Sequence, residues 1–126
     1  MDMPPVVLVV DDNDDQRELM KRALEFCGCT VRESRGTEAL NRLVGWQVDC
    51  LVIDEYLSDG LRGHELVLEA RRVVPGLRVV LTSSHGQPPD GVPFEAAYLP
   101  KPCHVIDLMA SVRADGVRAR GSRQLV

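Results

Sequence analysis

The stretch LVIDEYLSDGLRG, residues 51–63, gives the clearest indication of the fold. It opens as a short apolar run, which is typical of a strand buried on both faces of a parallel sheet, and the run stops on a carboxylate, Asp54. A glycine-containing loop follows, and residues 63–74 then take up helical spacing. Because a charged group is costly at the end of a buried strand unless it has partners, we expect Asp54 to lie at a polar site.

The same alternation of apolar runs and helical segments extends along the rest of the chain. The apolar runs predict strands over Val6–Val10, Thr30–Ser34, 49–54, 77–83 and 96–100. The helical spacing predicts a helix between Asn13 and Gly28, helices over 37–44 and 63–74, and a last helix from Val105 to Gly116. Strands that alternate with helices favour an α/β fold of the flavodoxin-like type, a doubly wound five-stranded parallel sheet in the order 2-1-3-4-5.

The apolar positions of two helices predict the faces that meet the sheet. In the first helix the apolar positions are Leu19, Ala23 and Phe26 on one face, with Met20, Leu24 and Cys27 alongside. In the helix over 63–74 the inward residues are expected to be Leu66, Val67, Ala70, Val73 and Val74, with Pro75 ending the helix.

Length, charge and cysteine content narrow the class of protein. A chain of 126 residues is enough for one domain with a single well-buried core. Its net charge of -4 argues against direct nucleic-acid binding, and no apolar stretch is long enough to span a membrane. The four scattered cysteines are typical of reduced thiols, so we expect a cytoplasmic location.

Polar side chains stand at the predicted carboxyl ends of four strands. Asp11 and Asp12 follow the first strand, Asp54 ends the third, Thr82 lies at the end of the fourth, and Lys101 follows the fifth. Doubly wound sheets place their sites at this edge, where the strand order reverses. We therefore expect three carboxylates, a hydroxyl and an ammonium group to meet in one crevice.

Three neighbouring carboxylates repel one another unless a cation neutralises them. Mg²⁺ prefers oxygen ligands and is commonly completed by phosphate oxygens. A threonine hydroxyl and a lysine beside such an ion can bind the other oxygens of a phosphoryl group. Asp54 is then the candidate nucleophile, and its product would be an aspartyl phosphate.

At this point the chain resembles the receiver domain of bacterial two-component response regulators. The matching stretches are VVLVVDDN at 6–13, CLVIDEYLSDGLRGHEL at 50–66, VVLTSS at 79–84 and YLPKP at 98–102. The resemblance covers roughly residues 5–115, which leaves 116–126 as a flexible basic tail or linker. It implies Mg²⁺-dependent phosphorylation of Asp54 by a phosphohistidine on a partner histidine kinase or histidine phosphotransfer protein.

The resemblance also implies roles for individual residues. Mg²⁺ would be held by Asp12, Asp54 and the backbone carbonyl of Tyr56, with Asp11 acting mainly through water. Thr82 and Lys101 would contact the phosphoryl oxygens, Tyr98 would be an aromatic switch residue, and Tyr56 and Ser84 would tune the lifetime of the phosphoryl group. The chain would then be a signalling phosphoacceptor rather than an enzyme, one that promotes its own Mg²⁺-dependent phosphorylation and slow autodephosphorylation. An unknown downstream protein would read its altered surface. A phosphorylation-dependent dimer is left open.

The segment between Thr82 and Lys101 departs from the family pattern. It is short and carries prolines and glycines over 86–93, so the fourth helix is expected to be shortened or absent. The stretch PFEAAY at 93–98 resembles the FAT GUY receivers, which have a degraded fourth helix. The loop from Asp54 to Gly63 is similar to that of receivers attached to hybrid histidine kinases.

Two alternatives remain at this stage. A pseudo-receiver would keep the fold as a protein-interaction module without phosphorylation. A phosphatase of the haloacid dehalogenase type would need a D-x-D signature after the first strand, a spacing that Asp12 and Asp14 have. It would also need an acidic pair after Lys101, where only Asp107 follows.

Overall fold

The computed structural model describes residues 4–58, 60–84 and 96–113. Its elements are β1 (Val6–Val10), α1 (Asp14–Phe26), β2 (Thr30–Ser34), a 3₁₀ helix (Thr37–Arg42), β3 (Cys50–Asp54), α2 (Gly63–Val73), β4 (Arg78–Ser83), β5 (Ala97–Pro100) and α3 (Val105–Arg113). Among these elements, no helix has both the length and the apolar character that a membrane span would need.

The five strands form one parallel sheet in the order β2-β1-β3-β4-β5, which confirms the predicted flavodoxin-like architecture. In the register of the sheet, Val10 lies beside Ile53, Asp54 beside Thr82, and Ser83 beside Pro100. The carboxyl ends of β1, β3, β4 and β5 therefore lie side by side at one edge.

Side chains that alternate along the central strands supply two hydrophobic cores, one on each face of the sheet. One core joins β1, β3 and β4 to α1 and α3 and contains Val7, Val9, Val52, Val80, Met20, Leu24, Leu108 and Val112. The other joins the same strands to α2 and the 3₁₀ helix region and contains Leu8, Val10, Leu51, Ile53, Leu81, Leu43, Val67 and Ala70. Burial on both faces is why β1 and β3 are apolar without polar interruption.

Helix α1 begins and ends as its sequence predicts, but fewer of its apolar side chains are buried than the sequence predicts. The Asn13 side chain accepts a hydrogen bond from the Gln16 N–H at 2.9 Å, and Gly28 follows the helix with a φ of 95°. Met20 and Leu24 are buried, whereas Leu19 is 50% exposed and Phe26 is 89% exposed. Leu19 and Phe26 thus face away from the sheet, while Ala23 of the same predicted face is partly buried against the core.

Two further predictions need correction. Val73 is 54% exposed, so its predicted inward position is wrong; Val67 and Ala70 already define the buried line of α2, and Val73 lies off that line. The helix predicted over 37–44 is a 3₁₀ helix over Thr37–Arg42.

The prediction of a shortened or absent fourth helix falls on residues 85–95, which lie outside the described residues. The three α-helices of the described part of the chain fit a shortened fourth helix. The predicted helix end at Gly116 and the tail over 116–126 lie outside the described residues as well.

Candidate functional site

Three carboxylates meet at the carboxyl edge of the sheet. Asp11 and Asp12 follow β1, Asp54 ends β3, and each offers an oxygen within 4.8 Å of the others. Asp11 is buried, while Asp12 and Asp54 are partly exposed. The three acids come together because β1 and β3 are hydrogen-bonded neighbours whose chains leave the sheet at the same level.

Lys101 reaches into this acidic cluster from the end of β5. Its Nζ donates to Asp11 Oδ2 at 2.6 Å and to Gln16 Oε1 at 2.7 Å, and it lies 3.6 Å from Asp54 Oδ2. The backbone N–H of Lys101 donates to the Ser83 carbonyl at 2.7 Å and so fixes the start of the side chain. The Lys101 side chain is only 7% exposed, and its charge is therefore compensated mainly by these carboxylates.

The surroundings of Asp54 favour uptake of a positive charge. Burial raises the pKa of the Asp54 carboxyl above its ordinary value of 3.8; the nearby Lys101 ammonium opposes this rise, and the Asp11 carboxylate adds to it. The Tyr56 N–H lies 3.4 Å from Asp54 Oδ1 and donates to it. A carboxylate that is partly desolvated and close to other acids gains stability from a proton or a cation.

Thr82 stands directly beside Asp54 in the register of β3 and β4. Its side chain is buried, and Oγ1 donates to the Ile53 carbonyl at 3.4 Å. Ser84 is exposed and lines, together with Gln16, Lys101 and their neighbours, a cavity of about 290 Å³ beside the cluster. Both hydroxyl residues thus lie at the same edge of the sheet as the acids.

The two tyrosines occupy different positions relative to the acids. Tyr56 is half-buried, forms an antiparallel bridge with Arg62, and stacks its ring 4.2 Å from the Arg62 guanidinium. Tyr98 lies on β5 beside Leu81 and packs against the core on the α2 face. The structure therefore places Tyr56 next to the carboxylates through its backbone N–H, whereas Tyr98 lies on β5, which β4 separates from β3.

Four residues at this edge were missed by the sequence reasoning or given no role in the site. Gln16 binds Lys101, and Arg62 stacks on Tyr56. Glu55 is fully buried and pairs with His64, which is 20% exposed. The signal for Glu55 was present, because a second acid directly after a buried strand needs a partner; the choice of His64 as that partner had no sequence signal.

Gly63 explains how α2 can start so close to the cluster. A Cβ at this position would lie 2.5 Å from the Asp54 carbonyl oxygen and 2.8 Å from Leu81 Cδ1. Only glycine permits this close approach of the helix to the end of β3. The glycine therefore allows the start of α2 to lie directly against the end of β3.

The donor set of the acidic pocket suits a hard divalent cation. All three side chains offer carboxylate oxygens, which are the ligands that Mg²⁺ and Ca²⁺ prefer. Because the acids lie at an open edge, a bound ion would keep positions for water or for the oxygens of a phosphoryl group. The pocket could therefore hold a metal ion.

Comparison with known proteins identifies the family to which this fold belongs. Residues 7–113 match the family model of the response regulator receiver domain. The response regulator MprA from Mycobacterium sp. (strain KMS) is 32% identical over 117 residues, a match that covers 89% of this chain and 50% of that protein. The chain thus spans about half the length of the curated relatives it matches.

Solved structures show the same architecture. A CheY-like receiver domain protein from Methanospirillum hungatei JF-1 superposes with a TM-score of 0.78 at 25% identity, covering 88% of this chain and 92% of that one. A response regulator from Burkholderia pseudomallei, solved with a phosphorylated aspartic acid, a calcium ion and citrate, gives a TM-score of 0.74 at 23% identity, covering 86% of this chain and 66% of that one.

Proposed function

Because this chain belongs to the response regulator receiver domain family, we propose that it accepts a phosphoryl group on Asp54 from a phosphohistidine of a partner histidine kinase or histidine phosphotransfer protein. The observation that carries the proposal is the meeting of Asp11, Asp12, Asp54 and Lys101 at one sheet edge. The phosphorylated aspartic acid of the Burkholderia pseudomallei relative supports the same chemistry.

In the proposed reaction an Asp54 carboxylate oxygen attacks the phosphorus atom of the donor. A P–O bond forms as the P–N bond breaks, and the leaving imidazole nitrogen keeps the electron pair and takes up a proton. A bound Mg²⁺ would supply positive charge against the phosphoryl oxygens, and the residues that would hold it are Asp12, Asp54 and the Tyr56 carbonyl, with Asp11 acting through water. The carboxylates fit such an ion because three of their oxygens already lie within 4.8 Å of one another.

Lys101 has the position that a phosphoryl-binding residue needs. Its Nζ lies 3.6 Å from Asp54 Oδ2, so a phosphoryl group on Asp54 would bring its oxygens to the ammonium. Thr82, beside Asp54 in the sheet, would exchange its 3.4 Å bond to the Ile53 carbonyl for a bond to a phosphoryl oxygen. We propose that Tyr98 then shifts inward and that Tyr56 and Ser84 tune the lifetime by limiting access of water.

The signalling role follows from this local change. Phosphorylation adds nearly two negative charges and strong acceptor oxygens at the carboxyl edge. The surface near β4, β5 and α3 would then change its population of conformations, and an unknown downstream protein would read it, with a phosphorylation-dependent dimer as one form of output. We propose residues 5–115 as the receiver domain, 116–126 as a linker or tail, and a cytoplasmic location.

A binding module without phosphorylation is the second candidate. It is favoured by one observation, the 2.6 Å contact through which Lys101 already neutralises Asp11. In that case the acidic cluster would be a structural ion pair, and neither a cation nor a phosphodonor would change the protein.

Intact-mass measurement after incubation with acetyl phosphate and Mg²⁺ separates the two candidates. We expect the wild type to gain the mass of one phosphoryl group. No gain is expected when Mg²⁺ is chelated before the incubation, and none in Asp54→Asn. The matched control is Asp107→Asn, an exposed acid in the first turn of α3, which should be phosphorylated like the wild type. A wild-type mass that stays unchanged, or a gain that persists in Asp54→Asn, contradicts the proposal.

A further inference from the structure

A buried acid–histidine pair lies directly after the proposed phosphoacceptor. The Glu55 side chain is 0% exposed, and its two carboxylate oxygens are both bound by His64. The His64 backbone N–H donates to Oε1 at 2.8 Å, and His64 Nδ1 lies 2.6 Å from Oε2. A buried carboxylate is tolerated only when such partners compensate it, so the pair is a specific feature of this site.

The backbone of Glu55 is held on both sides as well. Its N–H donates to the Thr82 carbonyl at 2.8 Å, and its carbonyl accepts from the Gly63 N–H at 2.9 Å. Through these bonds and its side chain, Glu55 connects the end of β4 to the first turn of α2. Its immediate neighbours in the chain are Asp54 and Tyr56.

These contacts fix the peptide planes next to the proposed metal ligands. The Glu55 N–H belongs to the peptide that leaves Asp54, and the Glu55 carbonyl belongs to the peptide that enters Tyr56. With both planes anchored, the direction of the Tyr56 carbonyl depends mainly on the backbone of Tyr56 itself, which is further restrained by its bridge to Arg62. The backbone over residues 54–56 is therefore organised before any ion arrives.

We propose that Glu55 and His64 are positioning residues that preset the Asp54 carboxylate and the Tyr56 carbonyl for a divalent cation. The inference rests on the proposed function for the metal ligands, but it concerns Glu55, which lies between Asp54 and Tyr56 in the chain, and its side-chain partner His64. Groups that hold metal ligands in place typically contribute about 10-fold to 100-fold to metal affinity. The pair acts by keeping the backbone of residues 54–56 ordered. A segment that had to become ordered on binding would lower the affinity for the ion.

The negative charge of Glu55 is an alternative explanation for an effect on Mg²⁺ affinity. Two variants distinguish this charge effect from positioning of the ligands. Glu55→Gln removes the charge but keeps an acceptor for the His64 N–H and a donor toward the ring. His64→Leu removes the ring contact and keeps the charge. Positioning predicts a large effect of His64→Leu and a small effect of Glu55→Gln, whereas a charge effect predicts the reverse.

The experiment is a Mg²⁺ titration of the full chain by isothermal calorimetry, without any phosphodonor. We expect His64→Leu to bind Mg²⁺ about tenfold more weakly than the wild type. We expect His64→Asn, which restores a donor near the position of Nδ1, and Glu55→Gln to bind within about threefold of it. If His64→Leu does not fold, His64→Ala, which also lacks a side-chain donor, carries the same comparison. Val67→Ala, a buried change on the same helix, is the control for lost stability and should leave the affinity unchanged.

Equal Mg²⁺ affinity in wild type and His64→Leu overturns the inference, as does a loss in Glu55→Gln larger than that in His64→Leu. A wild type that binds no Mg²⁺ also overturns it. Incubation with acetyl phosphate distinguishes this failure from that of the proposed function. A wild type that binds Mg²⁺ but takes up no phosphoryl group refutes phosphorylation and leaves the inference standing.

Discussion

Lys101 is the cation that the acidic cluster already contains, and replacing it with methionine tests whether a divalent ion can take its place. The methionine keeps most of the aliphatic volume and removes the ammonium that lies 2.6 Å from Asp11 and 3.6 Å from Asp54. Asp11 is 2% exposed and Asp54 is 13% exposed, so the acids would lose a partner that water replaces only in part.

Removing one partner of a buried ion pair destabilises a protein by about 3 to 5 kcal/mol. Because Asp54 retains some access to water, we expect the lower end of that range, about 3 kcal/mol for Lys101→Met in the absence of Mg²⁺. For a domain of this size about 1 kcal/mol corresponds to a shift of about 4 °C, so the melting temperature should fall by roughly 12 °C.

Mg²⁺ should stabilise Lys101→Met more than the wild type, since the ion no longer competes with the ammonium for the same carboxylates. A concentration ten times the dissociation constant contributes about 1.4 kcal/mol to the free energy of unfolding, and tighter binding in the variant increases that amount. The assay is thermal unfolding followed by circular dichroism, with and without Mg²⁺. Lys21→Met is the matched control, because Lys21 pairs with Glu33 at 3.0 Å on the surface. Its loss should change neither the melting temperature without Mg²⁺ nor the increase on adding Mg²⁺ appreciably.

Two outcomes would refute this reasoning. A Lys101→Met protein as stable as the wild type without Mg²⁺ would mean that the cluster carries little net charge in the native state. A variant that is destabilised but gains no more from Mg²⁺ than the wild type would mean that the acids do not hold the ion.

Three further changes test other parts of the structure. Burial raises the pKa of the Asp54 carboxyl in the folded protein above its ordinary value of 3.8. The folded state therefore loses free energy of unfolding as the pH rises above 3.8 and the carboxyl ionises. In Mg²⁺-free buffer Asp54→Asn should therefore melt above the wild type at pH 7, with a difference that shrinks as the pH falls toward 3.8. Gly63→Ala should lower the free energy of unfolding in urea by about 2 kcal/mol, because the new Cβ meets the Asp54 carbonyl; an unchanged value would contradict the close approach. Leu24→Ala should cost about 3 kcal/mol in the same assay and Phe26→Ala less than about 0.5 kcal/mol, and equal costs would contradict the orientation of α1.

The order of elements and the location of the site follow from local features of the sequence. Apolar runs such as VVLVV and CLVID are long enough only for strands, and the intervening helical segments force parallel connections. Once the strands are parallel, side chains that follow them, including Asp12 and Asp54, must lie at one edge. The helix cap at Asn13 and the stop at Gly28 were predictable because each depends on residues close in the chain. The sheet order was predictable only from the usual order of doubly wound sheets, since β1 pairs with β3 across α1 and β2.

The tertiary structure alone decided which partners meet within that edge. Lys101 lies closer to Asp11 than to Asp54, and its ammonium also donates to Gln16. Glu55 is buried and pairs with His64. These choices are set by how β5 and α2 pack against the sheet, which places Lys101 Nζ 2.6 Å from Asp11 Oδ2 and 3.6 Å from Asp54 Oδ2. The packing of α1 against β1, β2 and α3 likewise selects Met20 over Leu19 as the buried side of α1. The periodicity of apolar residues predicts the apolar face of a helix. The rotation of the helix about its axis on the sheet determines which residues of that face are buried.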